Sequence, residues 1–208
     1  MRLAEIAGPA GRLEALLDEP VGTAEALRAA VVFAHPHPQY GGTLHTKVVY
    51  QAAKAFSRIG CAVLRFNFRG VGASAGRFDE GIGEADDFDA ALHFMHDRYA
   101  PARLWAGGFS FGSWIALTVG AADPNVSTLI GIAPPLSHYD FEAVRSSGKP
   151  KFFIQGERDE ICPLKEMREF YARCAEPKEL VVIDAADHLF DGKTSEVGEA
   201  IEDLLGDW

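Results

Sequence analysis

The fold of this chain is decided by the stretch LWAGGFSFGSWIAL, which runs from Leu104 to Leu117. Its first residues form an apolar run that predicts a β-strand, and the small and apolar residues after Gly112 predict a helix. Ser110 therefore stands at a strand-to-helix turn, between Gly108 and Gly112 in a G-x-S-x-G pattern. Such a turn holds its serine in a strained backbone and leaves no room for a Cβ atom at the flanking glycines. We interpret Ser110 as the candidate nucleophile.

The same pattern occurs a second time, as Gly72-Ala73-Ser74-Ala75-Gly76. Polar and glycine-rich residues surround this match, without the apolar periodicity of a helix. Ser74 is therefore predicted to be a loop residue. The strand and helix that flank Ser110 decide between the two serines.

Length and composition predict a single domain over residues 1–208. The chain contains no Pro/Ser-rich linker, internal repeat or low-complexity tract. Hydrophobic residues make up 48% of it and charged residues 24%, which is the usual balance of a soluble globular protein. No apolar run approaches the roughly 18 residues that a membrane span requires. We expect a soluble protein without membrane association.

Charge, cysteine spacing and the N-terminal segment predict the kind of partner and the location of the protein. The net charge is −10 and the basic residues are scattered, which argues against a nucleic-acid-binding surface. The 3 cysteines lack C-x-x-C spacing and are predicted to be reduced thiols. The N-terminus lacks the continuous apolar segment of a signal peptide. We expect a cytoplasmic monomer or homodimer that acts on a small molecule without a cofactor.

Strand-like and helix-like segments alternate along the chain after a predicted edge hairpin in the first twenty residues. The predicted strands cover residues 29–34, 61–66, 103–106, 126–132, 151–154 and 180–183. The predicted helices cover residues 45–59, 84–99, 112–122, 164–174 and 196–205. This alternation predicts an α/β fold, with a mostly parallel sheet covered by helices on both faces. Active sites in such sheets collect at the carboxyl ends of the strands.

Three residues suited to acyl transfer follow predicted strands: Ser110, Asp159 and His188. A serine hydroxyl is a poor nucleophile at neutral pH, so it needs a base to take its proton and a carboxylate to orient that base. We predict that His188 is the base and Asp159 the carboxylate. Their order along the chain differs from the chymotrypsin and subtilisin orders.

Other acids near these positions compete for the carboxylate role. Glu157 and Glu160 flank Asp159, but its placement after a strand and a glycine turn favours Asp159. Asp187 precedes His188 and is predicted to be only its neighbour. A capping or surface histidine is the alternative interpretation of His188.

Acyl transfer also needs hydrogen-bond donors for the oxyanion. The backbone N–H of Phe111, directly after the candidate nucleophile, is predicted to supply the first. The second is expected from residues 35–42, where the two prolines have no N–H and leave His37, Gln39 and Tyr40. We favour His37, with Tyr40 next.

Two further features allow more than one interpretation. His35, His37 and His45 could suggest a metal site, but the segment has no cysteine and its prolines favour a turn, so no metal is predicted. Arg69 could orient an anionic substrate group, or it could anchor the loop of residues 70–76 through hydrogen bonds.

Five segments together carry a resemblance to a known superfamily: residues 35–42, 65–72, 108–112, 156–159 and 187–188. They resemble the α/β-hydrolase superfamily, and most closely its small bacterial members without a lid, related to dienelactone hydrolase and family VI carboxylesterases. The resemblance spans nearly the whole chain and implies an α/β-hydrolase fold with a serine, acid and histidine triad.

Two departures limit what this resemblance implies. Dienelactone hydrolase has a cysteine nucleophile where this chain has Ser110, so its ring-opening specificity is not carried over. Larger relatives insert a cap at a position where this chain has only residues 134–150, which leaves no room for a helical lid. Tyr139, Phe141 and Phe190 are candidate walls of the resulting open pocket.

These observations predict a serine carboxylesterase that cleaves short-chain acyl esters through an acyl-enzyme on Ser110. A thioesterase or an acyltransferase would use the same triad. A non-catalytic binding protein with this fold is the alternative from another class, because fold does not dictate function.

Overall fold

The computed structural model describes residues 2–20 and 27–208. Eight strands form one sheet: β1 (Arg2–Gly8), β2 (Gly11–Asp18), β3 (Ala29–Ala34), β4 (Ala62–Phe66), β5 (Arg103–Phe109), β6 (Val126–Ile132), β7 (Lys151–Gly156) and β8 (Lys178–Ile183). In the described ranges, five α-helices connect the strands and a sixth follows β8: α1 (Lys47–Arg58), α2 (Ile82–Tyr99), α3 (Phe111–Ala122), α4 (Glu142–Ser146), α5 (Leu164–Arg173) and α6 (Thr194–Leu205). Within the described ranges, no helix is both long and apolar enough to cross a membrane.

The strand order across the sheet is β1-β2-β4-β3-β5-β6-β7-β8. β1 and β2 form an antiparallel hairpin, and β2 pairs with β4, also antiparallel. The other six strands of the sheet, in the order β4-β3-β5-β6-β7-β8, are parallel to one another. The predicted edge hairpin and parallel sheet are therefore confirmed. Because parallel strands end at one edge, the loops after β3, β5, β6, β7 and β8 meet there.

Two hydrophobic cores cover the faces of the sheet. Ala30, Val32 and Ala34 of β3 point into one core, and Val31 and Phe33 point into the other. Buried side chains of α2, α3, α4 and α5 belong to the first core, and those of α1 and α6 to the second. Helices on both faces explain why the central strands are apolar throughout.

Apart from shifts of one or two residues at the ends of other elements, two elements differ from the sequence prediction. β5 continues through Gly107 and Gly108, which pair with both β3 and β6, to Phe109, which pairs with β6. The segment predicted as a loop between β6 and β7 contains α4. This helix packs against α3 and α5 through Val144 and the first core, so it does not form a lid.

Candidate active site

The backbone of Ser110 is strained at the turn between β5 and α3. Its φ of 54° and ψ of −123° lie in a region that residues with a side chain rarely adopt. The Ser110 N–H donates to the carbonyl oxygen of Ile132 on β6 at 2.9 Å. This hydrogen bond fixes the turn to β6, and the Ser110 side chain lies at the carboxyl edge of the sheet.

The two flanking glycines are required by close backbone contacts. A Cβ atom on Gly108 would lie 2.3 Å from the carbonyl oxygen of Gly112. A Cβ atom on Gly112 would lie 2.3 Å from the carbonyl oxygen of His35 and 2.7 Å from that of Ala34. The first clash could be relieved only by moving α3 away from β5, and the second only by moving it away from the end of β3, which is why the turn needs glycine at both positions.

Ser110, His188 and Asp159 form a hydrogen-bonded chain. His188 Nε2 lies 2.9 Å from Ser110 Oγ, and His188 Nδ1 lies 2.8 Å from Asp159 Oδ2. All three residues are buried, and the imidazole packs on Phe109 with ring centroids 5.3 Å apart. Because Asp159 can only accept when ionised, the proton of neutral His188 is on Nδ1, and Nε2 is free to accept from the serine.

The carboxylate of Asp159 is fixed by further donors. Its Oδ1 accepts from the N–H groups of Ile161 at 2.9 Å and Cys162 at 2.7 Å. Its Oδ2 also accepts from Nε2 of Gln155 at 3.0 Å. Sequence reasoning missed Gln155, whose only signal was a polar residue at the end of an apolar strand. These contacts orient the acid that in turn orients His188.

The competing acids make other contacts. Glu157 accepts from the N–H of Ala185 at 2.8 Å, and Glu160 is exposed. Asp187 accepts from the N–H of Asp191 at 3.0 Å. Of the four candidate acids, Asp159 is the one that meets the imidazole.

The loop after β3 contains a short 3₁₀ turn, Pro38–Tyr40, that uses two of the three candidate oxyanion donors. The N–H of Tyr40 donates to the carbonyl oxygen of His37 at 3.1 Å, and the N–H of Gln39 donates to His37 Nδ1 at 3.2 Å. The N–H of His37 has no acceptor among the residues that the structure describes. Phe111 is the first residue of α3, where a backbone N–H has no acceptor within the helix. His37 and Phe111 are therefore the candidate donors, and Tyr40 is not.

Buried His35 connects this loop to the one after β4. Its Nδ1 lies 2.6 Å from the carbonyl oxygen of Pro36, and its Nε2 accepts from the N–H of Phe68 at 3.1 Å. Burial lowers the pKa of His35 to about 4, so it stays neutral near pH 7. His35 is a bridging residue that sets the position of the loop.

Asp159, Cys162 and His188 offer three potential metal ligands within 4.8 Å of one another. Hydrogen bonds already account for their polar atoms, since the Cys162 thiol donates to the carbonyl oxygen of Ala133 at 3.3 Å. Burial, and then the charge of Asp159, raise the pKa of Cys162, which disfavours the thiolate that a metal needs. The cluster fits the hydrogen-bonded triad better than a metal site.

Two other residues singled out in the sequence lie away from Ser110. Ser74 is a loop residue, as predicted, and its hydroxyl donates to the carbonyl oxygen of Asn67 at 2.6 Å. Arg69 is paired with Asp87 of α2 at 3.0 and 2.8 Å, and it does not line the cavity beside Ser110. Arg69 therefore has a structural role, but its side chain is bonded to α2 and not to the loop of residues 70–76.

A cavity of about 400 Å³ opens beside Ser110. It is lined by Pro36, His37, Tyr40, Phe109, Ser110, Phe111, Pro135, His138, Tyr139, Ile161, His188 and Leu189. Within the described part of the chain, no Asp, Glu, Lys or Arg contributes to the lining. The lining is therefore mostly apolar and has no carboxylate, lysine or arginine side chain, and its imidazoles are those of His37, His138 and His188.

One of the three predicted wall residues lines this cavity. Tyr139 does so, and its ring stacks on Trp114 with centroids 4.0 Å apart. Phe141 and Phe190 were wrong predictions, because both are buried in the cores, against Phe170 and Phe109 respectively. Their apolar character reflects core packing rather than contact with a ligand.

The sheet order, the turn at Ser110 and the absence of a lid over the described site define the class of α/β serine hydrolases without a cap. Residues 25–145 match the Hydrolase_4 family, described as serine aminopeptidase, S33, and the chain belongs to this family.

The chain is similar to one curated relative without an assigned function and to two solved structures of α/β serine hydrolases. The chain is 37% identical over 207 residues to the uncharacterized protein RP471 of Rickettsia prowazekii, covering 95% of this chain and 86% of that protein. An α/β serine hydrolase homologue from Coxiella burnetii is similar with a TM-score of 0.92 and 37% identity, covering 98% of this chain and 97% of that one. XC6422 from Xanthomonas campestris, a serine hydrolase without a lid, is similar with a TM-score of 0.89 and 34% identity, covering 97% and 92%.

Proposed function

We propose that this serine hydrolase is a carboxylesterase that cleaves short, uncharged acyl esters through an acyl-enzyme on Ser110. The observation that carries the proposal is the hydrogen-bonded chain of Ser110, His188 and Asp159 beside an uncharged cavity. A scaffold protein would have no need to hold a serine in a strained backbone against a buried imidazole. Catalysis explains both features.

The geometry supports a two-step reaction. His188 Nε2 takes the proton of Ser110 as Oγ attacks the ester carbonyl, and Asp159 stabilises the imidazolium that forms. The N–H groups of Phe111 and His37 stabilise the oxyanion. The C–O bond to the alcohol then breaks, and the alcohol oxygen takes the proton from Nε2. Water, activated by the same imidazole, hydrolyses the acyl-enzyme and regenerates Ser110.

The uncharged lining favours esters over two related substrate classes. An aminopeptidase substrate carries an α-ammonium group, which is usually bound by carboxylates, and a coenzyme A thioester carries phosphates, which are usually bound by Arg or Lys. No such side chain is among the described residues that line the cavity. Burying either charge without a partner would cost binding free energy. A neutral ester avoids this cost.

The test is a comparison of kcat/KM across these substrate classes. We expect p-nitrophenyl acetate and butyrate to exceed alanine p-nitroanilide and acetyl-coenzyme A by about 100-fold or more, because an unpaired charge costs several kcal/mol. Rates with p-nitrophenyl palmitate should be lower than with butyrate. Faster cleavage of the anilide would assign a peptidase. Preferential transfer of the acyl group to an added alcohol, at the expense of hydrolysis, would assign an acyltransferase.

Replacing His37 with proline tests the second oxyanion donor, because proline has no backbone N–H. The φ of His37 is −52°, which suits proline, so the backbone can keep its course. We expect His37→Pro to lower kcat for p-nitrophenyl butyrate by about 10² to 10³-fold, the usual effect of losing one oxyanion donor. His37→Ala is the matched control, because it removes the same imidazole but keeps the N–H. Equal losses in the two variants would assign the effect to the side chain instead.

A further inference from the structure

Exposed apolar side chains border the cavity on the side of His188. Ile161 and Leu189 both line the cavity, and they are 53% and 62% exposed. We refer to these two residues as the apolar shelf. Single exposed hydrophobic residues are common on protein surfaces, but these two line the same cavity.

Each residue of the apolar shelf adjoins a residue of the triad. The N–H of Ile161 donates to Oδ1 of Asp159 at 2.9 Å, so Ile161 is fixed by the acid of the triad. Leu189 lies between His188 and Phe190, and Phe190 is buried against Phe109. Ile161 therefore adjoins the triad through a hydrogen bond and Leu189 through the chain, and both residues line the cavity.

The proposed chemistry places the alcohol part of the ester beside this shelf. The alcohol oxygen must come within hydrogen-bonding distance of His188 Nε2, because that atom protonates it. The oxyanion points instead toward the N–H groups of Phe111 and His37. The alcohol chain therefore leaves the reacting carbon on the His188 side, where Leu189 directly follows the base and Ile161 is bonded to its acid partner.

We propose that the apolar shelf is the subsite for the alcohol part of the substrate, and that it selects esters of uncharged alcohols with an aliphatic chain of several carbons. This inference rests on the proposed esterase function and names its substrate class more closely. The shelf carries no charge, and the cavity residues that the structure describes include no Asp, Glu, Lys or Arg to pair with a charged alcohol. The alcohol chain contacts the shelf on one side only, because the shelf is open to solvent.

The experiment varies the alcohol and keeps the acyl group constant. Release of butyric acid from methyl, butyl and hexyl butyrate is measured for the native chain and for the double variant Ile161→Ser/Leu189→Ser. Complete burial of a methylene is worth about a fourfold change in affinity, so burial on one side is worth about twofold. We expect kcat/KM of the native chain to rise about 30-fold from methyl to hexyl butyrate, and this ratio to fall to about threefold in the double variant.

Matched controls separate the shelf from a general loss of surface hydrophobicity. Leu3 and Ile82 are also exposed and lie outside the cavity lining, so Leu3→Ser/Ile82→Ser makes the same chemical change elsewhere. This control should keep the native ratio between hexyl and methyl butyrate. Thermal unfolding of both double variants verifies that each is folded.

Several results would overturn the proposal. A native chain that cleaves p-nitrophenyl butyrate but shows no preference among the alkyl butyrates would leave the esterase function standing and remove the shelf as a subsite. An unchanged ratio in the double variant would do the same. A lower molecular mass of the double variant by light scattering, with equal losses on all three esters, would assign the shelf to a second copy of the chain. Failure of the native chain on every butyrate would refute the esterase function, and the shelf proposal with it.

Discussion

Replacing Ser110 with alanine is expected to lower kcat for p-nitrophenyl butyrate by a factor on the order of 10⁶, the effect of removing the nucleophile of a working triad. The reason is local: Ser110 Oγ is the atom 2.9 Å from His188 Nε2, and alanine leaves the imidazole without a hydroxyl to activate. The measurement is the initial rate of hydrolysis with the pure variant, together with the mass of any acyl-enzyme formed by the native chain.

Ser74→Ala is the matched control for this prediction, because Ser74 is the centre of the second G-x-S-x-G pattern. Its hydroxyl accepts from the N–H of Glu14 and donates to the carbonyl oxygen of Asn67. Losing these bonds should lower the free energy of unfolding by about 1–3 kcal/mol and leave kcat nearly unchanged. If Ser110→Ala kept native activity, or if Ser74→Ala lost it, the assignment of the nucleophile would be wrong.

Replacing Gly112 with alanine is expected to have the largest effect on stability. In a helix without tertiary contacts this change would stabilise by about 1 kcal/mol, because alanine is the better helix former. Here the new Cβ would lie 2.3 Å from the carbonyl oxygen of His35 and 2.7 Å from that of Ala34. Because both atoms belong to the backbone, the clash outweighs the propensity, and we expect the free energy of unfolding to fall by about 3 kcal/mol or more.

Chemical denaturation measures this change, and Gly148→Ala is its control. Gly148 is exposed, and a Cβ there would have no neighbour within 4 Å. That variant should match the native chain or exceed it by up to about 1 kcal/mol, since alanine restricts the unfolded chain more than glycine does. Native stability of Gly112→Ala would show that α3 can move away from β3, and the explanation given for the glycine would then fail.

Much of the fold could be predicted from the sequence because it depends on local signals. Apolar runs, helical periodicity and glycine stops located the elements of the parallel sheet within a few residues. The five-residue α4 was missed, because a helix of that length has one buried apolar residue, Val144, and so no periodicity to detect. The extension of β5 through Gly107 and Gly108 was missed because glycine has no strand preference of its own.

The sequence was a poorer guide to the candidate site where a residue's role depends on whether its atoms already have hydrogen-bond or packing partners. The sequence allowed Tyr40 as the second donor, but in the 3₁₀ turn its N–H donates to the carbonyl oxygen of His37. Gln155 carried no motif, although it donates to Asp159 in the buried site. Phe141 and Phe190 were grouped with Tyr139 because all three are aromatic, but only packing separates a core ring from a cavity wall.

Local pattern alone predicts the parallel α/β sheet, the strand-to-helix turn at Ser110 and the candidate nucleophile and base, because each depends on short-range periodicity or on residues that follow strands. Tertiary structure decides which acid meets His188, which backbone N–H groups remain unengaged and which apolar side chains face the cavity. These outcomes depend on contacts between segments far apart in the chain, such as the 2.8 Å approach of Asp159 to His188. No local sequence pattern records such a distance, since it is set by how the loops of neighbouring strands pack at the edge of the sheet.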